Sequence, residues 1–258
     1  MKKIKKFLLT IAMTMIFSVS AFSASGLEFL FQLAGGAGVV IPTKEAKDLF
    51  GVKGELSADA DVSAQIGYMF QVKDGFGISV LGELGSAWDF YLTGIDGGTL
   101  SSNTDASGTT TYTVEGKDGL SLRQYYHSFK LGLLPKFNIG FGGRHGLAIG
   151  IGGGVKIPIT GNYGATITTV GTSEVKENLQ YEQDINLKRQ DIVDLYSPSV
   201  IGYIKVTFDY YLFFTDNIGM NFGLYLGGDF APKIKDAKYG YNSFDMGLQL
   251  GFRFGPKA

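Results

Sequence analysis

Two histidines, and a set of carboxylates and amines spaced through alternating stretches, are what this 258-residue sequence offers for chemistry. There is no cysteine, which excludes disulfides and thiolate metal sites. A Ser–His nucleophile pair needs both side chains within hydrogen-bond reach. His127 and Ser128 are chain neighbours, and neighbours in a strand point to opposite faces, so these two cannot share a proton directly. His145 falls in a turn reading Gly142-Gly143-Arg144-His145-Gly146. The glycine runs sit inside strand-like stretches, not between a strand and a helix, so they do not form a phosphate cradle. A formal charge of −1 leaves no electrostatic footprint for nucleic acid. No catalytic residue, metal ligand or cofactor is expected.

The charges take their meaning from the elements that carry them. Tyr241 to Phe254 reads YNSFDMGLQLGFRF. Phe244, Met246, Leu248, Leu250, Phe252 and Phe254 share one face, while Ser243, Asp245, Gly247, Gln249, Gly251 and Arg253 share the other. Period 2 this regular predicts a strand and excludes an amphipathic helix. Seven more such stretches precede it: Leu27 to Pro42, Ser57 to Val72, Phe76 to Leu92, Leu120 to Phe141, Leu147 to Thr160, Ser199 to Phe214 and Ile218 to Phe230. All exceed the 5 or 6 residues usual for soluble strands and reach the roughly 9 to 11 that a tilted membrane strand requires. Thirty-eight glycines, 20 Phe and 14 Tyr suit barrel strands.

Connections alternate in length. Lys73-Asp74-Gly75 and Thr215-Asp216-Asn217 are tight turns, whereas 93–119 and 161–197 are long. Long loops at one end and tight turns at the other predict an all-β, eight-stranded antiparallel up-and-down transmembrane barrel. Between Thr43 and Leu56 the alternation breaks, and one helical turn capped by Thr43 and stopped at Gly51 fits there. Phe29, Phe31, Phe70, Phe76, Phe137, Phe141, Phe214, Phe252 and Phe254 fall at the turn ends, and Trp88, Phe90, Tyr125, Phe230 and Phe244 at the loop ends. Two aromatic girdles match the two headgroup levels of a bilayer. The alternative is a soluble barrel or sandwich with its apolar face turned inward.

Lys2, Lys3, Lys5 and Lys6 precede an apolar run from Phe7 to Phe17 and then small residues. That order predicts a cleavable secretory signal peptide over 1–23, cut after Ala21 or Ser23, with a single barrel domain over 24–258. Export in this way places both termini in the periplasm and the barrel in the cell outer membrane, with membrane lipid as its partner.

Met246 to Phe254, an alternating closing strand ending in an aromatic residue, resembles the corresponding strand of Gram-negative-type outer-membrane barrels. The resemblance implies recognition by the barrel-assembly machinery through Leu248, Leu250, Phe252 and Phe254. Gly255 to Ala258 depart from it by following the aromatic. Gly38-Val39-Val40-Ile41-Pro42 before a polar loop resembles the small OmpW-like barrels, which implies a passage for small or apolar solutes. Lipid-modifying barrels of similar architecture imply a third and least favoured reading, an enzyme.

An eight-stranded lumen has room for side chains or one small ligand. Charges of both signs that face into it are expected to pair and plug it. The expected pairs are Glu28 with Arg253 near the turn end and Glu83 with Lys130 at mid-height, joined across the barrel by Lys205 and Asp209. Asp59, Asp61, Asp89, Asp229 and Asp245 cluster toward the loop end, where an acidic outer vestibule would favour cations. The favoured function is structural or surface-interacting, with an extracellular partner met by loops 93–119 and 161–197.

Overall fold

The computed structural model describes residues 25–95, 99–104, 110–115, 119–169, 179–235 and 239–258. The expected signal peptide at 1–23 lies outside them. Among the described residues, twelve strands and two short helices follow in chain order: β1 Gly26–Pro42, α1 Lys44–Phe50, β2 Val52–Lys73, β3 Phe76–Ile95, β4 Thr99–Thr104, β5 Thr110–Glu115, β6 Gly119–Leu133, β7 Lys136–Phe141, β8 His145–Thr169, β9 Leu179–Lys188, α2 Arg189–Leu195, β10 Ile201–Phe213, β11 Ile218–Phe230 and β12 Tyr241–Phe254.

The wall closes on itself. Antiparallel pairing runs β1–β2–β3–β6–β8–β10–β11–β12 and returns from β12 to β1, where Phe29 faces Phe254 and Pro42 faces Tyr241. Closure leaves no free edge around the ring. β6 and β7 together fill one position of the eight, both lying between β3 and β8. The sequence reads them as one strand. They part at Leu134-Pro135, because proline has no N–H for the ladder and restrains the residue before it. The ladder is still kept: Leu134 N–H donates to Leu81 O at 2.8 Å and Ile151 N–H to Pro135 O at 3.1 Å.

The turn end is tight, with Gly75, Gly142 and Gly143 at positive φ in the β2–β3 and β7–β8 turns. The loop end is built up. Thr43 Oγ1 accepts from Ala46 N–H at 3.4 Å and caps α1, which stops at Gly51 (φ 61°). β2 begins at Val52, five residues before the expected start at Ser57. Loop 93–119 carries the separate β4–β5 hairpin. In 161–197, which has no clear sequence pattern, β8 runs on to Thr169, β9 returns beside it, and α2 follows.

Outward side chains are apolar and exposed, among them Leu33, Val80, Leu131, Ile151, Ile204, Phe222, Leu224 and Leu248. Inward ones are mostly polar and buried, among them Gln32, Gln65, Glu83, Lys130, Thr207, Asn221 and Gln249. A soluble fold with an apolar interior is excluded by this arrangement, and an apolar band of this extent is a lipid-facing surface. Phe31, Phe70, Phe137, Phe141, Phe214 and Phe252 are exposed at the turn end, and Tyr125, Phe230 and Phe244 at the loop end. No helix among the described residues is long and apolar enough to cross a membrane; the strands make the crossing. The chain is thus an eight-stranded transmembrane barrel of the outer-membrane type.

Candidate functional site

The inward charges lie in three tiers. In the lowest, Arg253 Nε is 2.8 Å from Glu28 Oε1. Arg253 also donates from Nη1 to Asn138 Oδ1 at 3.1 Å and lies over the Tyr211 ring, 4.3 Å from its centroid. Ser79 Oγ donates to Glu28 Oε2, and Asn138 Nδ2 donates to Ser79 Oγ at 2.9 Å. Lys136 Nζ donates to Asp209 Oδ2 at 2.9 Å, and Gln249 Nε2 donates to Asp209 Oδ1. Leu30, Leu81 and Phe213 fill the space around them.

In the middle tier, Lys130 Nζ is 2.8 Å from Asp61 Oδ2 and 3.4 Å from Glu83 Oε1. Lys205 Nζ lies 3.9 Å from each of the same carboxylates. Tyr203 donates to Glu83 Oε2 at 2.7 Å, and its ring lies 4.9 Å from Lys130 Nζ.

In the upper tier, Lys156 Nζ donates to Asp89 Oδ1 at 2.5 Å and to Asp229 Oδ2 at 2.7 Å. Tyr91 donates to Asp229 at 3.3 Å, Tyr225 donates to both oxygens of Asp59 at 2.7 Å, and Ser57 and Ser243 donate to Asp245. Tyr225 fits here because Gly36 and Gly247, cross-strand partners, leave a floor beneath its ring that any Cβ would fill.

The lower tier carries two carboxylates and two cations, as does the middle tier. Among the described residues, the upper sets four carboxylates, Asp59, Asp89, Asp229 and Asp245, against one ammonium, Lys156. Lys130 and Lys156 are direct cross-strand partners. Like charges facing each other are unfavourable, and here they diverge, Lys130 to the middle acids and Lys156 to the upper ones.

Three placements correct the sequence reading. Asp209 does not join the mid-height group; it binds Lys136 in the lower tier. Asp61 does not belong to a loop-end acidic group; Lys130 and Lys205 hold it at mid-height. The remaining four aspartates are roofed rather than open. Above them Val40, Val52, Tyr91, Tyr126, Ile192, Tyr196, Ile201 and Tyr241 pack as one buried cluster. α2 contributes Ile192 to this roof, and Arg189 Nη1 fastens the helix by donating to Ser199 O at 2.7 Å and Pro158 O at 3.2 Å. The Pro232–Gly240 connection is tied in by Ser197 N–H to Lys233 O at 2.8 Å and Thr43 N–H to Gly240 O at 3.0 Å. Lys136 and Lys156, expected to face inward but given no particular partner, and Tyr203 and Tyr225 complete the tiers. Their inward register was the only signal.

The turn end is covered too. Arg253 Nη2 donates to Pro256 O at 3.3 Å, Gly255 N–H to Asn217 O at 2.9 Å, and Lys257 Nζ to Asp216 Oδ1 at 2.9 Å. The tail so held borders a cavity of about 270 Å³, lined in part by Asn138, Phe141, His145, Tyr211 and Arg253. The hydrogen bond from the Lys257 ammonium holds the exposed Asp216 carboxyl below its ordinary range. Among the described residues, no group of three or more His, Asp or Glu is placed to hold a metal ion.

Of the expected assembly residues, Leu248, Leu250 and Phe252 are exposed on the outer wall, and Phe254 packs on Phe29 with ring centroids 6.0 Å apart. His145 Nδ1 lies 2.6 Å from Tyr210 Oη at the turn end.

No family model matches the chain, and no curated protein matches it. Among solved structures, it is similar to Neisserial surface protein A at 9% identity, covering 89% of this chain and 98% of that one, with a TM-score of 0.36. It is similar to the outer-membrane protease OmpT from Escherichia coli at 8% identity, covering 89% and 95%, with a TM-score of 0.33. It is also similar to the attachment invasion locus protein Ail of Yersinia pestis at 8% identity, covering 89% and 99%, with a TM-score of 0.30.

Proposed function

We propose that this barrel is a closed outer-membrane anchor whose working surface is its loop end, not a conduit. The observation that carries this reading is the stack of ion-paired tiers under an apolar roof. An ion or solute on the axis would have to break Lys136–Asp209, Lys130–Asp61–Glu83 and Lys156–Asp89–Asp229 in turn. Each step leaves a buried charge without its partner, which costs several kcal/mol. At the loop end the β8–β9 hairpin runs on past the ring and α2 packs into the roof, both in the region assigned from sequence to an extracellular partner. A signal peptide at 1–23 delivers the chain to the periplasm, where the assembly machinery reads β12 and the barrel inserts with both termini on the periplasmic side. Single-channel recording on the refolded protein tests the reading. Silence across the voltage range is expected, and stable unit conductance would replace this reading with the narrow passage for small solutes.

A further inference from the structure

Between Leu84 and Phe90 the exterior of the β3–β6 ladder is apolar except where the two strands bring one serine and one histidine together. Its outward cross-strand pairs run Leu84–Leu131, Ser86–Phe129, Trp88–His127 and Phe90–Tyr125. Ser86 and His127 are diagonal neighbours, and Ser86 Oγ lies 2.8 Å from His127 Nε2. Diagonal positions on one sheet face are within reach of long side chains. The Trp88 indole stacks on the imidazole with centroids 5.1 Å apart and planes 5° from parallel, which fixes the ring's plane. The ladder on the other side of β6 is irregular at this point: His127 faces Thr160 but Ser128 faces Pro158, so β8 bulges at Ile159. Bulges re-aim a side chain and recur beside active sites.

Both side chains are half-buried on the wall. Trp88, Phe90 and Tyr125 mark the loop-end girdle, and Ser86 is two residues below Trp88, about 6 to 7 Å along the strand. That is the level of the ester carbonyls of the adjoining leaflet. An ionisable side chain on a membrane segment points by default to function. A serine and a histidine that served only each other could be replaced by apolar residues at little cost.

We propose that Ser86 and His127 are a nucleophile–base pair on the lipid-facing wall, acting on acyl esters of lipids in the loop-end leaflet. With Nδ1 carrying the ring proton, Nε2 accepts from the Ser86 hydroxyl. Ser86 Oγ attacks the ester carbonyl carbon and its proton passes to His127 Nε2. The ester C–O bond breaks, the lipid alcohol leaves with that proton, and the acyl group stays on Ser86. Water from the interface, deprotonated by the same nitrogen, then attacks the acyl-serine, releases a fatty acid and restores the pair. The site lies on the outer wall and does not depend on whether the lumen conducts.

The test uses the whole folded barrel, with folding of every variant checked by heat-modifiable gel mobility. A fluorophosphonate probe should form a phosphonyl ester on Ser86 with loss of fluoride, read by mass spectrometry. Labelling should vanish in Ser86→Ala, fall at least tenfold in His127→Gln and stay unchanged in Ser128→Ala. In phosphatidylethanolamine vesicles, the wild type should release fatty acid and Ser86→Ala should not. Absence of label on Ser86 in folded wild-type protein, or equal fatty-acid release from wild type and Ser86→Ala, overturns the proposal.

Discussion

Lys136 Nζ and Asp209 Oδ2 meet at 2.9 Å with both side chains wholly buried, one from the short strand β7 and the other from β10. Losing one partner strands the other charge in the lumen. Lys136→Met should lower unfolding free energy by about 3–5 kcal/mol, and Lys136→Met with Asp209→Leu should recover much of that loss. Urea titrations of the barrel refolded into vesicles measure both. A double variant no more stable than the single would show that the pair is not what Lys136 contributes.

Lys130 is the cation that pairs closely with both Asp61 and Glu83, at 2.8 and 3.4 Å, whereas Lys205 stands 3.9 Å from each. Lys130→Ala should turn a silent barrel into a leaky one in planar bilayers. Lys205→Ala should do so to a smaller extent.

Phe254 closes the wall against Phe29. Phe254→Asp should reduce membrane-inserted protein, because a charge on the lipid face costs up to about 2–4 kcal/mol at the midplane and less at an interface. Normal accumulation of this variant in membrane fractions would argue against β12 as the assembly signal.

Asp216 has a carboxyl pKa below the ordinary 3.8 because Lys257 donates to it. A lowered folded value means that the contact's contribution is complete above the unfolded pKa and is lost as pH falls through the folded one. A spin label at Ala258→Cys should therefore be restrained at neutral pH and mobile in strong acid. Asp216→Asn should mobilise it at neutral pH, and high salt should weaken the restraint.

Orientation is open to direct labelling. A cysteine at Lys235 should react with an impermeant thiol reagent on intact cells, and one at Asp74 should not. The reverse pattern would invert the barrel.

The wall was readable from the chain because alternation is a local signal that any one strand carries whole. α1 was readable for the same reason, from Thr43 and Gly51. α2 was not, because its place depends on Arg189 reaching Pro158 and Ser199 and on a single buried Ile192. The ion pairs divide on the same line. Glu28 with Arg253 and Glu83 with Lys130 join strands that are ladder neighbours, so height alone suggested them. Lys136 with Asp209, and Lys156 with Asp89, join strands that are not adjacent in the ladder, and strand tilt and stagger decide which residues meet there. Ser86 escaped notice because its histidine lies 41 residues away and only register brings the two together.

The roof of Tyr126, Ile192, Tyr196 and Tyr241 sits directly over the one tier whose formal charges do not balance. The lower half of the barrel is electrically quiet whatever happens above it. The upper quarter is quiet toward the outside only while the roof is shut. A bound partner, or a change such as Ile192→Asp that lifts α2, would uncover a sink for cations at the loop end. Access of cations to the upper aspartates is therefore set by an apolar latch, and the loop end's affinity for cations would report on the state of that latch.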